Sequence, residues 1–232
     1  MSLEDNYKPQ SLEDIVFSND EVAATMRDYA EGRQNKNLLL YGPTGTGKTT
    51  TAKVLPNEIE KRARNGGSVN RPLFEFDTGF RAAVQLLTGG TTDRVDHELA
   101  RLKKALGVYS VNPSGDHYVI IDEVDCVSRD KFQPALKAFI SDQSHAMFIL
   151  TTNHIDKLDP GLRSRCKEVH ITPPSTLWWQ PRLRKILELE NVPLDEDKLQ
   201  QLLRGHDIDG RKLLEKVDDV IAQYRRTHSN VA

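Results

Sequence analysis

The fold is decided by the stretch Gly42-Pro43-Thr44-Gly45-Thr46-Gly47-Lys48-Thr49-Thr50, which contains the spacing G-x-x-x-x-G-K-[ST]. Apolar residues precede it at 38–41 and a helical pattern follows at 51–55, so the stretch connects a strand to a helix. Glycines in such a connection let backbone N–H groups surround a phosphate, and the N-terminus of the helix adds positive potential. The pattern therefore predicts a P-loop in an α/β fold.

The lysine of a P-loop and the hydroxyl residue after it have separate roles. The ammonium contacts the β- and γ-phosphates, and the hydroxyl ligates Mg²⁺. We therefore predict a site for ATP and Mg²⁺ in which Lys48 binds phosphate and Thr49 binds the metal. The predicted nucleotide-binding residues of the loop are Gly42, Pro43, Thr44, Gly45, Thr46, Gly47, Lys48, Thr49 and Thr50. A glycine turn without a ligand is the alternative, and the order of strand, motif and helix disfavours it.

The composition excludes several other classes of protein. The 232 residues are 38% hydrophobic and carry a net charge of −2, so any contact with DNA must come from a local basic patch. Two cysteines, Cys126 and Cys166, do not make a disulfide framework or a four-cysteine zinc site. No apolar run approaches the roughly 20 residues of a membrane span, and the acidic start at 1–5 does not resemble a targeting peptide. We expect a soluble cytoplasmic or nucleoid-associated protein (nuclear in a eukaryote) without a membrane partner.

A second acidic motif follows the apolar run at 118–121. Such a run is typical of a central parallel strand buried on both faces, and here it ends in Asp122 and Glu123. In P-loop ATPases an aspartate at this place holds the magnesium. We predict Asp122 as the metal-side residue and Glu123 as the residue that orients the attacking water, whereas Asp125 is interpreted as a cap or structural acid.

Residues 146–153 are predicted to form another buried strand, which ends at Asn153. An amide there is either a contact to the γ-phosphate and its water or an ordinary turn asparagine. The basic helix predicted at 91–106 has two interpretations as well: a solvated face, or a surface that follows DNA phosphates. Its candidate DNA contacts are Arg94, Arg101 and Lys104.

Alternating strands and helices around a P-loop predict a parallel sheet with flanking helices over residues 1–172. A short strand at 72–77 belongs to this part, after a predicted surface loop at 62–70. Beyond the stiff segment 172–175 only helices are predicted, at 177–190, about 195–204 and 210–226. We therefore predict a small all-α lid domain over residues 173–232, in which Trp178 and Trp179 are packing residues rather than a base-stacking platform.

Together these motifs resemble the AAA+ ATPases, and within them the clamp-loader subunits of the replication factor C type, over nearly the whole chain. The most specific similarity is Ser164-Arg165-Cys166, which resembles the family's S-R-C motif. The other similar segments are Tyr7-Lys8-Pro9 (adenine side), 42–50 (Walker A), 122–125 (Walker B), 151–153 (sensor 1) and Gly210-Arg211 (sensor 2).

The resemblance implies ATP hydrolysis at subunit interfaces. It implies that Tyr7 and Pro9 bind the adenine side and that the catalytic residues are Lys48, Glu123, Asn153, Arg165 and Arg211. Arg165 would act on the nucleotide of a neighbouring subunit. The implied partners are other AAA+ subunits in a ring or spiral, normally a pentamer, together with primer–template DNA and a sliding clamp.

The chain departs from the clamp-loader pattern in three respects. Lys137 stands where the family has an arginine, and the same segment carries Pro134. Two cysteines cannot build the zinc module of bacterial loader subunits. The 232 residues stop after the predicted lid, where loader subunits normally continue into a helical collar. Two other functions stay open: a regulatory AAA+ ATPase that recruits an effector in transposition, phage defence or another DNA transaction, and a subunit that binds ATP only to fix shape.

Overall fold

The computed structural model describes residues 3–66, 87–88, 95–126, 129–193, 196–203 and 209–228. Within these residues, five parallel strands form one sheet in the order β2-β3-β4-β1-β5. The strands are β1 (Asn37–Tyr41), β2 (Leu87–Thr88), β3 (His117–Asp122), β4 (Ala146–Thr152) and β5 (Cys166–His170). The parallel sheet predicted from the sequence is confirmed.

Helices connect the strands, and further helices come after the last strand in the sequence. In the described residues they are α1 (Leu3–Asn6), α2 (Asp20–Ala30), α3 (Lys48–Gly66), α4 (Val95–Leu106), α5 (Phe132–Asp142), α6 (Pro160–Arg163), α7 (Thr176–Leu189), α8 (Glu196–Leu203) and α9 (Gly210–His228). Short 3₁₀ turns lie at 12–14, 124–126 and 155–157. None of the described helices is both long enough and apolar enough to cross a membrane.

The sheet is buried on both faces because alternate side chains of each strand enter different clusters. Leu38 and Leu40 of β1 pack with α2 and α3, whereas Leu39 faces the other way and packs with α5. The central strands β1, β3 and β4 therefore tolerate few polar residues except at their ends. Because parallel strands end at the same edge, the residues after β1, β3 and β4 are brought together there.

A third apolar cluster joins α7, α8 and α9, with Leu183, Leu199, Leu213 and Val217 among its buried members. Leu3 of α1 is also buried in this cluster, and Tyr7 packs against it. The N-terminal segment therefore lies against the helices that end the chain.

One segment differs from the sequence prediction, and two others lie beyond the described part. Residues 62–66 continue α3 instead of beginning a loop, because Arg62, Ala63 and Arg64 are good helix formers. The predicted strand at 72–77 and positions 91–94 of the basic helix, with Arg94, lie outside the described residues.

Candidate active site

A cavity lies between the P-loop, the N-terminal segment and the C-terminal helices. Of the residues predicted from sequence, its walls include Tyr7, Pro9, Thr44, Gly45, Thr46, Gly47, Lys48, Thr49, Thr50, Glu123, Asn153 and Arg211. Gly42 and Pro43 contact the lysine ammonium instead, and Asp122 lies behind Thr49. The described geometry thus brings together all of these predicted residues.

The P-loop is held in its turn by its own side chains and by close backbone packing. The hydroxyl of Thr46 donates to Pro43 O at 2.9 Å, and that of Thr51 donates to Gly47 O at 2.9 Å. Gly42 has φ +145°, and a Cβ there would lie 2.0 Å from Ile171 O. A side chain at this position would therefore collide with the backbone that follows β5.

Lys48 is only 7% exposed and bridges the start of the loop. Its Nζ donates to Gly42 O at 2.8 Å and to Pro43 O at 2.6 Å. Burial lowers the pKa of Lys48 from its ordinary value, while the carboxylates at 122, 125 and 123 oppose that shift. The acids at and just after the end of β3 therefore favour a charged ammonium at the phosphate-binding loop.

Two hydroxyls converge on one oxygen of Asp122. Thr49 Oγ1 donates to Oδ1 at 2.7 Å, and Thr151 Oγ1 donates to the same atom at 2.5 Å. Oxygens in adjacent octahedral positions around Mg²⁺ lie about 3 Å apart. The spacing of the Thr49 and Asp122 oxygens and their chemistry therefore fit a magnesium ion, to which a nucleotide would add phosphate oxygens.

The residues after β3 and β4 interlock. Glu123 has φ +53° and its N–H donates to Thr151 Oγ1 at 3.0 Å. Asp125 accepts from Thr152 Oγ1 at 2.6 Å and from Asn153 N at 3.4 Å. Asp125 therefore holds the backbone that carries Asn153, which agrees with its interpretation as a structural acid.

The C-terminal helices contact the P-loop directly. Gly210 N donates to Gly45 O at 3.4 Å, and a Cβ on Gly45 would lie 2.2 Å from the Asp209 carboxyl. The neighbouring Arg211 lines the cavity, and its charge lowers the pKa of Lys48. The arginine at the start of α9 therefore acts on the same electrostatic site as the P-loop lysine.

Arg182 was not predicted from the sequence, although it fixes the N-terminal wall of the cavity. Its guanidinium donates to Asp14 Oδ1 at 2.5 Å and to Tyr7 O at 2.8 Å. Tyr7 OH donates in turn to Glu190 Oε1 at 2.6 Å, and this bond raises the pKa of Tyr7. Tyr7 is therefore anchored through its backbone carbonyl to α7 and through its hydroxyl to Glu190, the residue that follows α7.

Arg165 does not line the cavity of its own chain. It is exposed, its Nε donates to Ser141 Oγ at 2.7 Å, and its Nη1 donates to Gly161 O at 2.7 Å. Ser141 Oγ is itself fixed, because it donates to Lys137 O at 3.0 Å. The guanidinium is thus held on the surface beside β5, away from the P-loop.

The departures at α5 have structural explanations. Pro134 is the third residue of α5, within the first turn, where a backbone N–H has no acceptor inside the helix. The ammonium of Lys137 lies 3.4 Å from Asp159 Oδ1, and Asp159 also caps α6 by accepting from Leu162 N. Lys137 is therefore an intrachain partner of α6, the helix that precedes Arg165.

On the basic helix α4, Arg101, Lys103 and Lys104 are exposed on the surface. They lie outside the cavity lining, and Arg94 lies outside the described residues. The structure therefore places Arg101, Lys103 and Lys104 on a surface separate from the nucleotide site.

The family follows from a match over residues 38–174 to the model described as "ATPase family associated with various cellular activities (AAA)". The match covers more than half of the chain and includes the P-loop, the acids after β3, Asn153 and Arg165. The chain belongs to the AAA family of ATPases.

Curated relatives of this AAA chain include several replication factor C subunits. Subunit 5 from Mus musculus is 28% identical over 211 residues, which is 90% of this chain and 57% of the relative. Subunit 4 from Caenorhabditis elegans is 28% identical and small subunit 1 from Pyrobaculum arsenaticum 26%, each over 90% of this chain and 59% of the relative. The resemblance predicted from the motifs is confirmed, and the AAA chain spans less than two thirds of the length of these relatives.

Solved structures agree with this fold. A variant of RuvB from Thermotoga maritima superimposes with a TM-score of 0.64 at 16% identity, covering 95% of this AAA chain and 72% of that chain. Domain III of the replication initiation protein DnaA from Thermotoga maritima gives a TM-score of 0.61 at 19% identity, covering 99% and 92%. At these identities the likeness concerns the fold alone.

Proposed function

We propose that this chain is an ATPase subunit of a clamp-loader-type AAA assembly, and that it hydrolyses ATP at the interface with a neighbouring subunit. One observation carries the proposal: the P-loop, Glu123, Asn153 and Arg211 surround one cavity, while Arg165 is held on the surface away from it. Such a site has its binding groups in one chain and its arginine available to another.

In the proposed binding mode, ATP lies between the α/β part (1–172) and the helical lid (173–232). The triphosphate accepts hydrogen bonds from the backbone amides of the loop. It also draws the Lys48 ammonium away from the carbonyls of Gly42 and Pro43. The base lies on the side of Tyr7 and Pro9, which the bonds of Arg182 hold in place. Arg211, which belongs to the lid, contacts the phosphates. Nucleotide binding is therefore coupled to the angle of the lid.

Thr49 and Asp122 would hold Mg²⁺, since their oxygens have the spacing and the chemistry described above. The ion supplies charge neutralisation at the phosphate oxygens. Glu123 orients and polarises the attacking water, and Asn153 contacts the γ-phosphate or this water. Because phosphoryl transfer depends mainly on positioning and charge stabilisation, a further positive charge at the γ-phosphate controls the rate.

Arg165 supplies that charge in trans. Its two acceptors, Ser141 Oγ and Gly161 O, fix an exposed guanidinium before any neighbour arrives, which reduces the conformational freedom lost on assembly. An arginine finger contributes on the order of 10³–10⁵ in rate, so hydrolysis depends on assembly with another subunit. The neighbour is another copy of this chain or a related AAA subunit.

The proposed clients are primer–template DNA and a sliding clamp, from the resemblance to clamp-loader subunits of the replication factor C type. Arg101 and Lys104 of α4, with Arg94, are the proposed phosphate contacts. The loop after α4 is the proposed protein contact, because Val108, Tyr109 and Val111 are 63%, 102% and 83% exposed. Side-chain bonds from Ser110 and Asn112 to Asp116 O hold this loop in place.

The proposal is tested by the ATPase rate of the purified assembly with and without primer–template DNA and a clamp. Clamp loading predicts stimulation by DNA and clamp together. Replacing Arg101 and Lys104 by glutamate lowers the stimulation by DNA and flattens the salt dependence of DNA binding by about 0.9 in log–log slope per lost phosphate contact. The same replacement of the exposed Lys212 and Lys216 on α9 is the matched control. Stimulation by DNA alone, with no response to any clamp, contradicts clamp loading and favours a regulatory AAA ATPase.

A further inference from the structure

The buried hydroxyl of Thr151 lies between Asp122, the last residue of β3, and Glu123, which follows it. Thr151 is 1% exposed and belongs to β4. Its Oγ1 donates to Asp122 Oδ1 at 2.5 Å and accepts from Glu123 N at 3.0 Å. The single hydroxyl proton is therefore donated to the carboxylate of Asp122, and one lone pair accepts the backbone N–H of Glu123.

Glu123 needs a side-chain acceptor because the strand ladder ends before it. The register of β3 with β4 runs to Ile121 paired with Leu150, and Glu123 then adopts φ +53°. Asn191 is the other described residue besides glycine with a positive φ. This left-handed conformation is uncommon for residues with a Cβ, and it persists where the surrounding structure fixes it.

We propose that Thr151 is a positioning residue for Glu123. Its hydroxyl holds the Glu123 amide, and with it the left-handed backbone that presents Glu123 at the cavity wall. This inference rests on the proposed function, in which Glu123 orients the attacking water. The same hydroxyl donates to Asp122. Thr151 therefore fixes the position of Glu123 relative to Asp122, the metal-side acid.

The test compares Thr151→Val with Thr151→Ser. Valine keeps the branched shape without the hydroxyl, whereas serine keeps the hydroxyl. In the assembled protein at saturating Mg²⁺, Thr151→Val lowers kcat about 10²-fold, the size of effect that small misplacements of catalytic groups produce, and leaves the affinity for a non-hydrolysable ATP analogue unchanged. Thr151→Ser restores the rate. When Glu123 is already replaced by glutamine, Thr151→Val lowers the residual rate no further.

A second readout does not depend on activity. The Glu123 amide, followed by hydrogen exchange, is protected in the native protein and in Thr151→Ser, and it exchanges at least about tenfold faster in Thr151→Val because its acceptor is gone. Tyr118→Phe is the control for lost stability: it removes another buried hydroxyl bond from β3, to Glu60, at the far end of the strand. It leaves kcat and the exchange of the Glu123 amide unchanged.

Three results would overturn the inference. They are equal exchange of the Glu123 amide in Thr151→Val and the native protein, a full additional loss of rate in the Glu123→Gln background, and a normal kcat with only a weaker response to Mg²⁺. The last would mean that the hydroxyl acts on Asp122 alone. If no assembly of the native protein hydrolyses ATP, the proposed function fails, while the exchange measurement still decides whether Thr151 holds the amide.

Discussion

At the scale of single residues, the acids after β3 act on their neighbours through charge as well as through hydrogen bonds. They oppose the effect of burial on Lys48, and they also act on Cys126, which is exposed directly after them. Burial raises the pKa of Cys126, the charges of Asp125 and then Glu123 raise it further, and Lys157 opposes them. The pKa of the Cys126 thiol therefore depends on the negative charges of the site.

The effect of these charges can be measured from the pH dependence of Cys126 alkylation, because the thiolate is the reactive form of cysteine. A raised pKa displaces the alkylation profile of Cys126 to higher pH than in the unfolded chain. Glu123→Gln removes one negative charge, so the pKa falls and alkylation at pH 8 becomes faster, whereas Glu13→Gln, at an exposed remote site, has no effect. Mass spectrometry of the labelled peptides separates Cys126 from Cys166, whose pKa burial raises to about 12. Slower labelling in Glu123→Gln would contradict the assigned cause.

The residues of the site that could be predicted are those whose spacing is local. The motif at 42–50 and the acids after β3 each lie on one connection after one strand, so the sequence was sufficient. Thr151, Trp179 and Arg182 could not be assigned in this way. Their positions depend on which strand pairs with β3 and on how α7 packs near the P-loop. The spacing of residues within one segment predicts neither.

At the scale of elements, the parallel direction of the strands was predictable and the length of α3 was not. Apolar runs of strand length alternating with helical patterns leave few other topologies. The polar stretch after residue 61 indicated a loop, yet the helix continues to Gly66. The helix propensity of residues 62–64 favours this extension. The turn before it is held by tertiary contacts, because Ile59 packs against the first apolar cluster and Glu60 is 5% exposed and bonded to the loop before β3.

Glu60 is expected to connect α3 to the start of β3. Its carboxylate accepts from Ser114 N, Ser114 Oγ and Tyr118 OH at 3.0, 2.5 and 2.6 Å. Glu60→Ala leaves these donors without their acceptor and lowers the free energy of unfolding by about 2–4 kcal/mol. The midpoint of thermal unfolding then falls by about 2–4 °C for each kcal/mol.

A matched control lies one half turn away on the same helix. Glu58, whose side chain is 19% exposed, pairs with Lys61, whose side chain is 56% exposed. Because solvent reaches the ammonium of this pair, we expect it to contribute about 0–1 kcal/mol. Glu58→Ala should therefore shift the unfolding midpoint far less than Glu60→Ala. Equal shifts for the two variants would contradict a structural role for the buried carboxylate.

At the scale of the whole molecule, α7 and α9 are closely packed where they approach the P-loop. A Cβ on Gly210 would lie 2.7 Å from the ring of Trp179, and the Gly210 amide points to Gly45 O. Trp179 also lines the cavity. If ATP changes the lid angle, as proposed, the surroundings of this indole must change as well.

Tryptophan fluorescence gives a direct measurement of that change, because the chain has two tryptophans, Trp178 and Trp179. ATP with Mg²⁺ is expected to alter the emission of the native protein. Trp179→Phe abolishes the change, and Trp178→Phe, at a position 45% exposed, retains it. A response that survives in Trp179→Phe would separate nucleotide binding from movement at this contact.

The central claim is that one chain holds the nucleotide and the next completes the site with Arg165. The most direct test mixes two variants of the protein, Lys48→Ala and Arg165→Ala, with Lys167→Ala as a control at an exposed neighbouring position. Alone, Arg165→Ala should bind ATP normally but hydrolyse it on the order of 10³–10⁵ more slowly in an assembly of its own copies. Mixed assemblies should regain hydrolysis, because the Lys48→Ala chain donates its arginine to the intact P-loop of its neighbour. Full activity of Arg165→Ala alone, or no recovery in assemblies shown to contain both variants, would contradict the claim.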